Sequence, residues 1–542
     1  KAKYDGVEHP VRQVTDLKDI IVSSCSMFKD DTAFLEKDKP GGTFQPISYA
    51  KVKDDVDALG TKLMDMGLKG SKIAVVGETS YHWFLTYFAT VCGVGVIVPL
   101  DKNLPQDELK SLIERSHAKA IVFSKRMEKT IKPLYDEPGE IEYFISMSES
   151  ENEKVLSLEH LIEEGNKLLG EGVRDFVDAE INPEEMASLL FTSGTTGKSK
   201  GVMLSHKNIA SNVVNVSKRV TLDKGCVVLS ILPVHHTYEN TIDWVTIYQG
   251  RTIAVCEGIK YILKNMNEVK ANCMVGVPLV FEKIFKGLMK QAESRGEGEK
   301  VRNAIALSRR LKLYNNRSLI RKLFKPVHQA FGGGMQLFIA GGAAMDPEIT
   351  ESFEAMGIPM IQGYGMTEYA PIIAVNQDNY SVARSVGRPM PEAKVRIDNA
   401  DENRIGEIVV KGPSVMLGYY EDQDATDEVI EDGWLHTGDL GYLDSNDFLY
   451  LTGRKKTVIV TKGGKNIFPE ELESVLKENE LIKETIVHGV TDNAVGNVIV
   501  TADIQPNYEL LEEQRGKMSS SDVYHFYREL IDEINKTLPP YK

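Results

Sequence analysis

The residues best placed to do chemistry are the run TSGTTGKSKG at 192–201, which directly follows the apolar segment ASLLF. Gly194, Gly197 and Gly201 allow tight turns that aim backbone N–H groups inward. The hydroxyls of Thr192, Ser193, Thr195 and Thr196 add donors, and Lys198 and Lys200 add positive charge. Together they describe a cradle for a polyphosphate. It is not a Walker A loop, which needs four residues between its first Gly and the Gly-Lys pair; here only Thr195 and Thr196 separate Gly194 from Gly197. The bland alternative for this segment alone is a Ser/Gly/Thr hairpin.

Four further phrases occur with it: GYGMTE (363–368), GEIVVKGP (406–413), GWLHTGD (433–439) and TGRKKTVIVTKGGKNIFPEELE (452–473). In this order they resemble the adenylate-forming superfamily of acyl-CoA synthetases, adenylation domains and luciferases. The last phrase is especially similar to the AMP-forming long-chain fatty acid–CoA ligases. The resemblance implies two half-reactions. A carboxylate attacks the α-phosphate of ATP to give acyl-adenylate and pyrophosphate, and a thiol then displaces AMP. ATP, Mg²⁺ and coenzyme A are the expected cofactors and co-substrates, and a fatty acid is the expected substrate. A fatty-acyl-adenylate ligase delivering to a carrier protein is the enzymatic alternative, and a non-catalytic nucleotide-binding regulator the remaining one.

The same resemblance implies roles for individual residues. In GYGMTE, Gly363 and Gly365 admit close approach and Tyr364 offers a face to adenine. Thr367 brings a hydroxyl to the α-phosphate, and Glu368 a hard carboxylate oxygen to Mg²⁺. After the strand-like QLFIA, the small residues Gly341, Gly342 and Ala343 let adenine lie against backbone. Asp439 takes the position that holds the ribose hydroxyls, Arg454 supplies a fixed charge for ribose or phosphate, and Lys456 stands at the hinge between a large and a small domain. Gly463 and Gly464, in TKGGKNIFPEE, belong to a loop bordering the pantetheine tunnel. Alignment on Leu232-Pro233 places His236 as the histidine that seats the acid's carboxylate, with His235 turned into the structure. Amino-acid adenylation domains commonly carry an Asp in this segment for the substrate ammonium, whereas this chain has His-His-Thr-Tyr, which favours an unsubstituted acid. The family's catalytic lysine follows a phrase resembling LPPYK. That phrase is Leu538–Lys542 here, so the lysine is expected beyond Lys542 and the small domain is expected to be truncated.

These residues need a scaffold, and the hydrophobic pattern supplies it. Val52, Val56, Leu59, Leu63 and Met66 recur at helical spacing between Ser48, a candidate N-cap, and Gly67, a stop. Strands at 72–77 and 119–124 alternate with helices, including one near 105–116, and the rhythm returns at 251–255, 273–277 and 336–340. This predicts an α/β fold with stacked, mostly parallel sheets. Residues 385–452 change to short strands broken by Gly and Pro, as in a small β-barrel-like lobe. After Gly453 the pattern reads strand (457–461), helix (469–479), two strands (484–490, 497–504) and helix (521–537). The expected division is a large N-terminal domain, 1–453, and a small mobile α+β domain, 454–542. Acidic stretches near 147–154 and 291–300 read as solvated loops.

With 542 residues the chain has ample length for an enclosed site, and 64 Lys plus Arg against 79 Asp plus Glu give a net charge of −15. That charge argues against nucleic acid as a partner. Five scattered cysteines form neither a disulfide framework nor a zinc ribbon, which points to a reducing, cytoplasmic setting. The opening KAKYDGVEHPVR has no apolar core for a signal peptide. Thr79–Leu100 carries no Asp, Glu, Lys or Arg over 22 residues. Its β-branched second half, closed by Pro99, predicts a buried helix followed by a buried strand rather than a membrane span. Between Ser308 and Lys325 lie seven Lys or Arg and no acid. The bland reading is a solvated helix face; the alternatives are peripheral contact with an anionic membrane at its inner face, or with the phosphates of coenzyme A.

Overall fold

The computed structural model describes residues 8–192, 199–460, 466–492, 497–536 and 538. The chain divides into two compact units. The first comprises Lys1–Lys394 with Val410–Leu435, and the second Val395–Val409 with His436–Lys542.

In the first unit, the α/β rhythm resolves into two large sheets. Strands Ser71–Val76, Gly95–Leu100, Ala118–Phe123, Tyr143–Ser146 and Val155–Ser157 run parallel. The antiparallel hairpin Met186–Thr192/Lys200–Ser205 and the short strand Gly418–Tyr419 complete eight strands. The second sheet has nine strands. Its centre, Met360–Gly365, Leu337–Ala340, Cys273–Gly276, Val227–Ser230, Thr252–Val255 and Thr32–Lys37, is parallel throughout.

Side chains alternate across each strand, so each sheet feeds two cores. Ile73 and Val75 point into a core that also takes Leu337 and Ile339 from the other sheet, whereas Ala74 and Val76 pack on the opposite face. The shared core is filled by the helices Leu17–Met27, Tyr49–Asp65, Tyr81–Ala89, His206–Arg219 and Thr237–Tyr248. Trp244 of the last helix meets the Phe88 ring edge-on at 4.9 Å. Phe338 of the nine-stranded sheet packs on its far side with Phe281, Ile305, Ile320 and Phe324, from helices covering that face.

Local signals explain the element ends. Ser48 caps the helix Tyr49–Asp65 by accepting the Lys51 N–H at 3.2 Å, and Gly67 adopts φ +84° just beyond its end. Ser205 and Asn208 form a capping box that starts the helix His206–Arg219 directly off its strand. The uncharged stretch 79–100 is the buried helix Tyr81–Ala89, a π-turn at Thr90–Val94, and the strand Gly95–Leu100. Among the described residues, no helix is long and apolar enough to cross a membrane. All five cysteines are free.

The acidic stretch 291–300 is not a loop. Helices Pro278–Ser294 and Gly298–Leu311 run into it from both sides and leave only a turn around Gly296, at φ +70°. Its charges are solvated helix ends, which acidic composition does not distinguish from loop. Residues 385–452 distribute strands among three sheets, and they also contain the helix Gln423–Val429.

The second unit has its own apolar core, built from Ile459, Ile467, Leu472, Leu476, Ile482, Val487, Leu511, Val523 and Tyr527. Its helices are Pro469–Lys477, Tyr508–Arg515 and Ser520–Asn535, and its long hairpin pairs Ile482–Asp492 with Asn497–Pro506.

Candidate active site

Three loops leave the carboxyl ends of parallel strands of the nine-stranded sheet: 231–236 after Val227–Ser230, 341–346 after Leu337–Ala340, and 366–371 after Met360–Gly365. In open α/β sheets this edge is where ligands bind. The last two loops are neighbours because their strands pair, with Ala340 opposite Gln362.

The 341 loop approaches its surroundings closely. A Cβ on Gly341 would come within 2.7 Å of the Tyr238 ring. Tyr238 needs that space, since its hydroxyl donates to the Ile339 carbonyl at 3.1 Å. Gly342 and Ala343 are exposed, Gly342 at φ +82°. Gly365 is equally constrained, because a Cβ there would fall 1.9 Å from the Pro371 carbonyl oxygen. Tyr364 is 7% exposed, so at most the rim of its ring meets solvent.

Thr367 and Glu368 open a short 3₁₀ turn. The Thr367 hydroxyl lies 3.4 Å from that of Thr237, at the start of the helix that follows His236. The Tyr419 hydroxyl donates to Glu368 Oε1 at 2.9 Å, and the Met416 N–H donates to the Glu368 carbonyl at 2.9 Å. Among the described residues no donor or cation occupies the second carboxylate oxygen of Glu368. Burial and the adjacent Glu368 push the Tyr419 phenol well above its ordinary pKa, so it remains a donor. The ammonium of Lys200 sits over the Tyr419 ring at 4.7 Å. Lys200 is the Cα partner of Thr192 across the hairpin, and Tyr419 pairs with Val202 two residues along. Lys200, Tyr419 and Glu368 therefore run in sequence from the hairpin Met186–Thr192/Lys200–Ser205 to the Thr-Glu turn. Ser193, Gly194, Thr195, Thr196 and Gly197 lie outside the described residues, as do Gly463 and Gly464.

His236 is exposed, and its carbonyl accepts the Asn240 N–H at 3.2 Å as the helix Thr237–Tyr248 begins. The side chain of His235 is only 11% exposed, and its Nε2 is 3.7 Å from Asp101. The two rings are 4.1 Å apart. Desolvation lowers both pKa values; His235 falls to about 4, with the neighbouring His236 contributing and Asp101 opposing. Both imidazoles are thus neutral near pH ~7, suited to hydrogen bonding rather than to carrying charge.

Beneath the loop lies a group that the motifs did not suggest. Glu239, 1% exposed, turns back from the first turn of the helix, and its Oε1 accepts the Ile231 N–H at 2.9 Å. Asp243, one turn on and 2% exposed, accepts the Ser230 hydroxyl at 3.3 Å. Burial raises both carboxyls far above the usual range, and Asp243 is raised further by Glu239. A Glu and an Asp four residues apart, the two charged residues of an otherwise uncharged helix, are the available signal.

In the second unit, Asp439 is buried and its Oδ1 meets Arg454 Nε at 3.2 Å. Their strands pair antiparallel with Asp439 directly opposite Arg454. Glu407 is also buried, and it holds Lys455 at 2.7 Å and accepts the Gly438 N–H at 3.2 Å. Burial alone would raise the Glu407 pKa, but Lys455 and His436 hold it low. Lys456, next in line, is exposed in a turn.

The residues fit a nucleotide polyphosphate with a divalent cation. Glu368 presents a carboxylate oxygen with no protein partner among the described residues, Thr367 a hydroxyl beside it, Gly342 and Ala343 an exposed stretch of small residues, and Lys200 a positive charge over the Tyr419 ring that binds Glu368.

Residues 22–420 match the family described as AMP-binding enzyme. The chain is 26% identical over 497 residues to the long-chain-fatty-acid–CoA ligase FadD15 of Mycobacterium bovis, covering 89% of this chain and 81% of that protein. It is 25% identical to the chloroplastic long-chain-fatty-acid–[acyl-carrier-protein] ligase AEE15 of Arabidopsis thaliana, covering 92% of this chain and 77% of that one. The o-succinylbenzoate CoA synthetase MenE of Bacillus subtilis, solved with its acyl-adenylate intermediate, has the same fold. Its TM-score is 0.73 at 21% identity, with 96% of this chain and 92% of that chain covered.

Proposed function

The chain belongs to the AMP-binding enzyme family, and from that premise we propose that it activates a long- or medium-chain fatty acid with ATP and transfers the acyl group to coenzyme A. The carboxylate oxygen attacks the α-phosphorus and pyrophosphate leaves. The thiol then attacks the acyl carbonyl of the adenylate, and AMP leaves with the bonding electron pair. The observation that carries this reading is the line from Lys200 through Tyr419 to Glu368, which joins the cradle strand to the Thr-Glu turn.

Glu368 would hold Mg²⁺, which supplies charge neutralisation along the phosphates. Tyr419 fixes one carboxylate oxygen and so orients the other. Thr367, braced by Thr237, places a hydroxyl beside the α-phosphate. Neutral His236, exposed on a loop anchored from beneath by Glu239, is set to hydrogen-bond the fatty acid's carboxylate. Gly341, Gly342, Ala343 and Tyr364 would line the adenine. In the second unit, Asp439 would take the ribose hydroxyls and Arg454 a phosphate or ribose oxygen.

Two relatives with different acceptors make the acceptor a question for experiment. Pyrophosphate exchange with acids from acetate to oleate tests the first half-reaction. Coenzyme A and a phosphopantetheine-bearing carrier protein, offered in parallel, test the second. Exchange with fatty acids and thioester formation on coenzyme A are expected. Glu368→Gln should abolish most exchange while leaving the melting temperature near that of the native chain, and unchanged exchange in that variant removes Glu368 from the site.

A further inference from the structure

The helices Gly298–Leu311 and Arg317–Leu323 carry apolar residues on both sides. Inward, Ile305 and Ile320 are buried against the far face of the nine-stranded sheet. Outward, each helix presents two leucines four residues apart: Leu307 and Leu311 at 49% and 58% exposure, Leu319 and Leu323 at 47% and 46%. A solvated helix face places polar residues at such positions. Here bare leucines are interleaved with cations in a chain whose net charge is −15.

The seven basic residues of 308–325 do not share one fate. Arg309 is engaged by the helix Pro347–Ala355: it meets Glu348 at 3.0 Å and Glu351 at 3.7 Å, and donates to Ser352. Arg321 donates to the Met335 carbonyl. Among the described residues, no carboxylate pairs with Arg310, Lys312, Lys322 or Lys325, and all four are exposed. The acids of the preceding turn, Glu293, Glu297 and Glu299, lie at the other end of the helix Gly298–Leu311.

We propose that the outer face of these two helices is a docking surface for an anionic lipid bilayer, with Leu307, Leu311, Leu319 and Leu323 entering the headgroup–acyl boundary and Arg310, Lys312, Lys322 and Lys325 meeting lipid phosphates. Leucines beside unpaired cations match the two terms of interfacial binding, apolar burial and attraction to anionic headgroups. A site for the phosphates of coenzyme A would have use for the cations but none for four exposed leucines. The inference takes its motive from the proposed substrate, which partitions into bilayers, but its test needs no catalysis.

The test is co-sedimentation of the chain with vesicles of phosphatidylglycerol and phosphatidylcholine, or of phosphatidylcholine alone, without ATP, fatty acid or coenzyme A. The native chain should bind the anionic vesicles, and rising salt should weaken binding as the Debye length shortens. Replacing Arg310, Lys312, Lys322 and Lys325 by Gln should lower the partition coefficient at least about tenfold. Leu311→Ser with Leu323→Ser should also lower it. Four exposed lysines elsewhere, Lys69, Lys125, Lys129 and Lys224, changed to Gln, control for the added net negative charge and should leave binding near native. Absence of native binding, or equal loss in the control, overturns the proposal. If the four-Gln variant keeps vesicle binding and instead raises the KM for coenzyme A, the cations serve that ligand and the surface is not a membrane site. Loss of ligase activity with vesicle binding intact would count against the proposed reaction alone.

Discussion

A pair of carboxyls in the core has a measurable cost. Glu239 and Asp243 are held protonated well above the ordinary range by desolvation and, for Asp243, by each other's proximity. Unfolded, both release their protons above about pH 4.3. Between that point and the raised values the folded chain binds more protons than the unfolded chain, so this pair makes stability fall as pH rises. Glu239→Gln keeps an oxygen for the Ile231 N–H and removes one titration. Its melting temperature should therefore vary less than that of the native chain between about pH 6 and about pH 9. Parallel curves for the two proteins would show that Glu239 does not titrate in this window. A second readout separates positioning from bulk stability: Glu239→Ala, which frees the 231–236 loop, should lower kcat for adenylation more than it changes the KM for ATP.

At the level of elements, the site depends on backbones that approach closely. Gly341→Ala places a methyl 2.7 Å from the Tyr238 ring and should displace the ring from its bond to Ile339. Overpacking of this kind costs about 1–3 kcal/mol, and the KM for ATP should rise; an unchanged melting temperature would mean that the ring has room to yield. Much of this architecture is legible in the sequence. The 4, 3, 4, 3 spacing from Val52 to Met66 specifies a helix whose inner face is now seen buried, and Ser48 caps it as its position predicts. The uncharged run 79–100 divides into helix and strand where the β-branched residues begin. What pattern could not supply was pairing over long separations. Tyr419 stands in a two-residue strand too short to show a period, and its contact with Lys200 exists only because Gly418 and Tyr419 pair with Met203 and Val202. Likewise Glu239 reads as a polar helix residue until folding buries it under Ile231. Helix ends inside acidic runs, as at 291–300, were hidden because charge marks solvent exposure rather than backbone conformation.

On the scale of the whole molecule, the proposed reaction has two chemical steps, and we propose Lys456, which lies inside the second compact unit rather than at its boundary, as the hinge residue between them. Its neighbours are tied down, since the Lys455 N–H donates to the Gly438 carbonyl at 2.8 Å and its ammonium to Glu407 at 2.7 Å. Lys456→Pro, which fixes φ near about −65°, should impair thioester formation more than adenylate formation, as read by separate assays of the two half-reactions. Equal loss in both would argue against a mechanism that turns on this residue. The order of strands also bears on how the chain is made. Strand Thr32–Lys37 finds its parallel partner in Thr252–Val255, with Phe34 beside Ile253. The parallel strands Ser71–Val76 to Val155–Ser157, by contrast, neighbour one another in sequence. At ribosomal speeds of about 5–20 residues per second, the partner of Phe34 emerges some tens of seconds after Phe34 itself. During that interval Thr32–Lys37 can pair on one side with Phe44–Ser48, while its other edge stays open to aggregation and proteolysis until Thr252–Val255 emerges.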